Sequence, residues 1–268
     1  MTKLAPVAIE KPWGRMQLPA PFKASEGARV GEIWFPAPAN VVMPILVKYL
    51  FTSEALSIQV HPSDEQARAR GLTAGKEECW YILDAEPGAM LGIGTIRPLS
   101  SEALHDAALS GEIERLMQWH PAEPDMLFHI PPGTIHAIGA GISLIEVQQN
   151  SDITYRLYDY GRPRILHLDD GIAVADAKPY PPGQRKKVDP ARSAKLLETP
   201  HFNLVQIVDG DLSPLEEWSD SLLVIPVEGS ALVNGTNVTP GECLLAKNVI
   251  NLEAPVPSRI LIAQPVID

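Results

Sequence analysis

The sequence predicts a mainly β protein built as two lobes, with a few short helices confined to the first. Three observations carry that expectation. Apolar and polar residues alternate over short stretches that end in Gly, Pro or Asn, which is the pattern of half-buried strands. Helix-like spacing is confined to two places, just after Pro62 and between Glu102 and Trp119. A proline-rich and then basic run, Pro179 to Val188, precedes a series of short strands separated by Glu228-Gly229, Asn234-Gly235 and Pro240-Gly241. The expected division is a first lobe over residues 1–178, a linker over 179–190 and a second β lobe over 191–268.

Composition narrows the class of partner. Of 268 residues, 45% are apolar, the usual share for a packed core. The balance of 22 basic against 33 acidic residues, a net −11, argues against a nucleic-acid groove and against an anionic membrane surface. An anionic ligand would need a local patch of positive charge. Cys79 and Cys243 are too few for a disulfide framework, and the start of the chain lacks the charged-then-apolar pattern of a signal peptide. No apolar run approaches the ~18 residues of a membrane span. The expected location is the cytoplasm.

In chain order, Pro6 to Ala24 is broken by prolines and reads as an extended arm. Strands are expected at Ala28 to Trp34, Met43 to Leu50 and Ala55 to His61. In the last of these Leu56, Ile58 and Val60 alternate with Ser57, Gln59 and His61. Ser63 is a candidate cap for a short helix that stops at Gly71. Further strands are expected at Cys79 to Leu83, Ala89 to Ile93, Asp125 to Ile130 and Ile142 to Gln148, with one or two helices between Glu102 and Trp119. In the second lobe the expected strands are Phe202 to Asp209, Ser221 to Val227, Ser230 to Val233, Glu242 to Ala246 and Arg259 to Ala263. That lobe has a single histidine, His201, and no evident polar cluster, so a structural role is expected for it.

The polar face of Ala55 to His61 aims Gln59 and His61 at one point. Together with Glu78 and His136 they form a mixed nitrogen and oxygen set that suits zinc or another divalent first-row metal better than calcium or magnesium. Taken singly, each is also an ordinary polar residue at a strand end. The segment Pro131-Pro132-Gly133-Thr134-Ile135-His136 separates the two readings, because it resembles the proline-glycine turn by which cupin barrels place a histidine ligand.

A wider set of segments resembles the class I mannose-6-phosphate isomerases of the short bacterial type. It comprises Lys11-Pro12-Trp13-Gly14, Gly31-Glu32-Ile33-Trp34, Leu56 to Pro62, Gly75 to Tyr81, Ile130 to Ala137 and Ile145 to Arg162, in the family's order. The resemblance implies a bicupin fold of two jelly-roll-like barrels and a zinc-dependent isomerase of mannose 6-phosphate and fructose 6-phosphate. It places Gln59, His61, Glu78 and His136 on the family's zinc ligands, with Gln59 either a ligand or the group that orients a metal-bound water. Lys76 and Arg156 fall on active-site cations, Glu146 on a candidate acid/base residue, and Trp13 near the site entrance.

Chemistry agrees with that transfer. Moving a proton between neighbouring carbons through a cis-enediol needs a base and positive charge for the developing oxyanion. Glu146 is either the base or a carboxylate that pairs with Arg156 to fix the arginine, and Lys76 is the rival base. For the reacting end or the phosphate Arg156 ranks ahead of Lys48 and Arg162, since Arg162 also reads as a salt-bridge partner of Asp159. Three departures from the family pattern stand out: Glu77 in place of a common threonine, expected to face solvent, Cys79 in place of methionine, and Arg15 in place of glycine. Two other readings remain open at this level, a cupin isomerase of a different or unphosphorylated sugar and a non-catalytic sugar-binding cupin.

Overall fold

The strand Ile45–Phe51 is buried along its whole length, which a strand with one wet face cannot be. In the computed structural model, which describes residues 1–215, 221–247 and 251–266, it lies within a seven-stranded antiparallel sheet covered on both faces. The order of that sheet is Arg185–Lys187, Met126–Ile130, Glu78–Ala85, Ile142–Gln149, Ile45–Phe51, Val30–Phe35 and Val7–Arg15. Side chains alternate across it, so Lys48 and Leu50 point one way while Val47, Tyr49 and Phe51 point the other.

The inner face packs on a five-stranded sheet ordered Tyr155–Tyr158, Ile58–Val60, His136–Ile138, Met90–Thr95 and Met117–Pro121. Trp80, Ile82, Phe128 and Leu144 meet Leu91, Ile93 and Ile138 in the core between them. Helices Ser101–Ser110, Ile113–Leu116 and Leu168–Val174 cover the far side of the five-stranded sheet, on Ile58, Val60 and Leu157. The outer face of the seven-stranded sheet packs Val47, Tyr49, Phe51 and Tyr81 against Phe202, Leu204, Leu223 and Ile225. Those last four belong to a six-stranded sheet of the second lobe, whose other face rests on a three-stranded sheet. The layers run helices, five strands, seven, six, three, and the mainly β bicupin architecture expected from sequence is the one observed.

Local signals explain most elements. Ser63 and Gln66 form a capping box on the helix Asp64–Arg68, and Ser100 caps Ser101–Ser110, which ends at Gly111 in the left-handed region. Helical character was expected as far as Trp119, but Met117–Pro121 is a strand paired with Met90–Thr95. The helix Leu168–Val174 was not anticipated. It is short and carries Gly171, whose missing Cβ leaves room for Leu157 at a point where a methyl would lie 2.6 Å from Leu157 Cδ2. Asn234 and Gly235 both take positive φ, +43° and +81°, in the hairpin turn that their types favour.

Both connecting segments are built into sheets. Within the arm, Val7–Arg15 pairs with Val30–Phe35, while Thr2–Lys3 pairs with Leu244–Lys247 in the second lobe. Residues 179–190 hold a 3-10 turn at Pro182–Gln184 and the strand Arg185–Lys187, which pairs with Met126–Ile130. Among the described residues no helix is long and apolar enough to cross a membrane.

Leu223 is fully buried in the core shared by the two lobes. Leu223→Ala is expected to lower stability by about 2–5 kcal/mol, read as a fall in the urea midpoint at constant slope. A loss near zero would mean that this core does not bear on the fold.

Candidate metal centre and the cleft above it

The two sheets of the first lobe face each other with their polar residues in register. On the five-stranded sheet His136 and Arg156 flank Gln59 as cross-strand partners. On the seven-stranded sheet Glu146 is the partner of both Lys48 and Trp80, and Glu78 pairs with Gln148. His61 follows the strand Ile58–Val60, and its carbonyl accepts the Gly133 N–H at 2.8 Å, which ties the two histidine-bearing segments together. Gly133 takes φ +83°, so the turn before His136 requires the residue the sequence supplies.

One donor atom from each of His61, Glu78 and His136 lies within 4.8 Å of the others, and all three residues are buried. The Nδ1–H of His61 donates to the Ile153 carbonyl at 2.7 Å and that of His136 to the Thr134 carbonyl at 2.9 Å. A carbonyl can only accept, so both imidazoles carry their lone pair on Nε2, and these atoms lie 3.3 and 3.8 Å from the oxygens of Glu78. Gln59 Nε2 donates to His136 Nε2 at 3.3 Å; turning the amide over would offer its oxygen to the same point. Two neutral imidazoles, a carboxylate with a buried oxygen short of hydrogen bonds, and an adjacent amide fit a divalent metal ion.

Glu78 is reached by a tightly held loop. The Lys76 N–H donates to the Pro62 carbonyl, and a methyl on Gly75 would lie 2.5 Å from that oxygen. Asp64 accepts from the Gly75 N–H and from Gln149 Nε2, and Gln149 Oε1 accepts from the Glu77 N–H. Burial pushes the His61 imidazole down to about 3, helped by the Lys76 ammonium, and it also lowers His136. Burial opposes ionisation of Glu78, but Lys76, 2.7 Å away, and the two histidines hold its carboxyl well below the usual range.

Above the centre opens a cleft of about 280 Å³. Five cations line it, Lys11, Lys48, Lys76, Arg156 and Arg164, against the carboxylates of Glu32, Glu146 and Asp152. Positive charge is therefore concentrated here in a chain of net −11. Lys11 pairs with Glu32 at 3.2 Å and Lys48 with Glu146 at 3.3 Å. Arg156 is less well neutralised. Its Nε is buried with no hydrogen-bond partner, and burial together with Arg164 and Arg162 pulls its pKa down despite Asp159. Glu146 is pushed up by burial and by the charge of Glu78, against Lys48 and Lys76.

Of the residues singled out in the sequence, Trp13, Lys48, Gln59, Lys76, Glu146 and Arg156 line the cleft, while His61, Glu78 and His136 lie buried just behind that lining, in contact with it through Gln59 and Lys76. Arg162 does not line it: its guanidinium binds Asp159 and the Ala55 carbonyl. Arg164, two residues on, does line it and was missed, as were Lys11, Glu32, Ser57, Asp152 and Thr154. Lys11 and Glu32 carried a signal, a charged residue inside each of two quoted motifs. Arg164 carried none beyond its neighbour's. The expectation for Glu77 is corrected. It does point away from Glu78, but that face is covered by the second lobe, so Glu77 is buried, 2.7 Å from His129 Nε2 and 3.9 Å from His201 Nε2.

The stacked barrels and the histidine-glutamate-histidine cluster define a bicupin with a site built for a metal ion. No family model matches the chain. It is 34% identical to the mannose-6-phosphate isomerase ManA of Bacillus subtilis over 208 residues, covering 74% of this chain and 66% of that protein, just under two thirds of its length. The crystal structure of mannose 6-phosphate isomerase from Bacillus subtilis superposes with a TM-score of 0.79 at 24% identity, over 98% of each chain. A structure described as a zinc-bound mannose 6-phosphate isomerase superposes at 0.70 with 14% identity over 99% of each, a likeness of fold. The chain is thus similar to mannose-6-phosphate isomerases in sequence over 74% of its length and in fold over nearly all of it.

Protein dialysed against a zinc salt is expected to retain one ion per chain by elemental analysis, and the His136→Ala variant to retain only background. Full retention by that variant would remove His136 from the ligand set.

Proposed function

We propose that this protein is a metal-dependent aldose-ketose isomerase that interconverts mannose 6-phosphate and fructose 6-phosphate. One observation supports this reading above all. A buried carboxylate with a raised pKa and an under-neutralised arginine share one cleft, with the candidate metal ligands just behind its lining. Zinc is the ion assigned, on the two-imidazole, one-carboxylate donor set and on the zinc named for the related structure. When bound, it supplies positive charge for the oxygen that becomes anionic as the carbon-bound proton leaves.

The remaining steps belong to the chain's own residues. Glu146 takes the proton from C2 of the open-chain aldose, leaving a cis-enediol, and returns it to C1 while a second proton passes between O1 and O2. Burial and the nearby Glu78 suit Glu146 to that task by raising its proton affinity. Lys76 is the weaker candidate for base, because Glu78 and Glu146 offset its burial and hold its proton. It is assigned instead to the developing oxyanion. Arg156 and Arg164 are assigned to the phosphate, whose oxygens suit arginine forks and would relieve the repulsion between them. Trp13 closes the cleft wall and excludes water.

Metal-loaded protein given mannose 6-phosphate is expected to form fructose 6-phosphate in a coupled assay, with a rate on free mannose lower by orders of magnitude. Glu146→Gln is expected to reduce kcat by about 100-fold or more, and Arg156→Ala to act chiefly on KM. Absence of turnover above the His136→Ala background would sink the reading, and equal rates on mannose and its phosphate would point to an unphosphorylated sugar.

A further inference from the structure

Trp80 stands two residues after Glu78 on the same strand, so alternation turns both side chains toward the site, and its cross-strand partner is Glu146. Its indole N–H lies 3.2 Å from Glu78 Oε2 and 3.1 Å from Glu146 Oε2. The indole has a single proton to donate, and here it faces two carboxylates at nearly equal distance. The ring is fully buried and meets His136 edge to face, with centroids 5.4 Å apart. A structural tryptophan in a core would find one acceptor for its N–H and be satisfied.

The remaining oxygens show what this sharing achieves. Glu78 Oε1 lies 2.7 Å from Lys76 Nζ and 3.3 Å from His61 Nε2, and Oε2, which accepts from the indole, lies 3.8 Å from His136 Nε2, so both oxygens border the candidate metal centre. Glu146 Oε1 lies 3.3 Å from Lys48 Nζ. Each carboxylate thus has Oε2 on the indole and Oε1 on a lysine. We propose that Trp80 is a positioning residue whose single N–H holds Glu78 and Glu146 together, fixing the Glu78 carboxylate beside the two imidazoles and the plane of Glu146 at the cleft wall. For Glu146 this rests on its assignment as base. For Glu78 it rests only on the ligand geometry. The indole links the two halves of the site, because movement of either carboxylate alters the donor available to the other.

Trp80→Phe removes the N–H and keeps an aromatic ring. In that variant kcat is expected to fall about 10- to 100-fold with KM nearly unchanged. Loss of metal to a chromogenic chelator is expected to accelerate about 10-fold, while thermal unfolding stays a single transition. Placed in a Glu146→Gln background, Trp80→Phe is expected to cost kcat less than in the wild type, since the part of its effect that runs through Glu146 is already lost and only the part through Glu78 remains. Unchanged kcat with unchanged metal release, or full additivity with Glu146→Gln, would overturn the proposal. If Trp80→Phe fails to fold, the indole ¹H resonance of Trp80 in ¹⁵N-tryptophan-labelled protein, assigned through its contact with the His136 ring, decides the matter. It is expected downfield and should move upfield in Glu146→Gln; no movement refutes the shared donor. If wild-type protein turns over no mannose 6-phosphate, the functional reading falls, and the metal-release and resonance measurements still decide the role of Trp80.

Discussion

The site depends on a row of charges held out of water on one face of one sheet. Glu32, Lys48, Glu78 and Glu146 all lie on the inner face of the seven-stranded sheet, with Lys76 at its edge, and all are buried. Each has an opposite charge within reach: Lys11 for Glu32 at 3.2 Å, Lys48 for Glu146 at 3.3 Å and Lys76 for Glu78 at 2.7 Å. Separating such a pair leaves an uncompensated buried charge, at a cost of about 3–5 kcal/mol. The arrangement therefore resists rearrangement, although replacing whole pairs by apolar residues need not destabilise the fold. What it gains is fixed direction: every carboxylate oxygen has an assigned neighbour before a ligand arrives.

The reverse face of the sheet is mostly apolar and packs on the second lobe. Val47, Tyr49, Phe51, Cys79 and Tyr81 sit between the charged residues in sequence and opposite them in space, packed on the second lobe. That lobe needs no chemistry of its own to matter. It covers Glu77, which stands next to a candidate metal ligand, and supplies His201 near the carboxylate that His129 already holds.

Periodicity made much of this legible. Strict alternation around Gln59 and His61, and the Pro-Gly turn before His136, were enough to gather the candidate ligand set. Lys48, a candidate for the phosphate ranked behind Arg156 and placed on the strand before Gln59 and His61, lines the cleft. Alternation failed where a strand is buried on both faces, because the second face then carries no polar signal of its own. Glu77 was misplaced for that reason, its covering surface lying more than a hundred residues further along the chain. Arg164, Asp152 and Thr154 were out of reach for a different cause. They come from irregular chain around the strand Tyr155–Tyr158, whose path is set by pairing with Ile58–Val60. Nothing local distinguishes Arg164 from Arg162 until Asp159 and Ala55 are in place to bind the latter.

The first strand of the chain is hydrogen-bonded to the second lobe and the next one to the first, so a single short segment is woven into both. Arg259 of the second lobe reaches Asp125 and Tyr81 of the first, adding a further tie across the shared core. The lobes are thus tied by strand pairing and by an ion pair as well as by their shared apolar core. The cleft lies on the side of the seven-stranded sheet away from the second lobe, and Asp152, Thr154, Arg156 and Arg164 form part of its wall. Every residue lining the cleft therefore comes from the first lobe, and the second lobe bears on it only through the sheet they share.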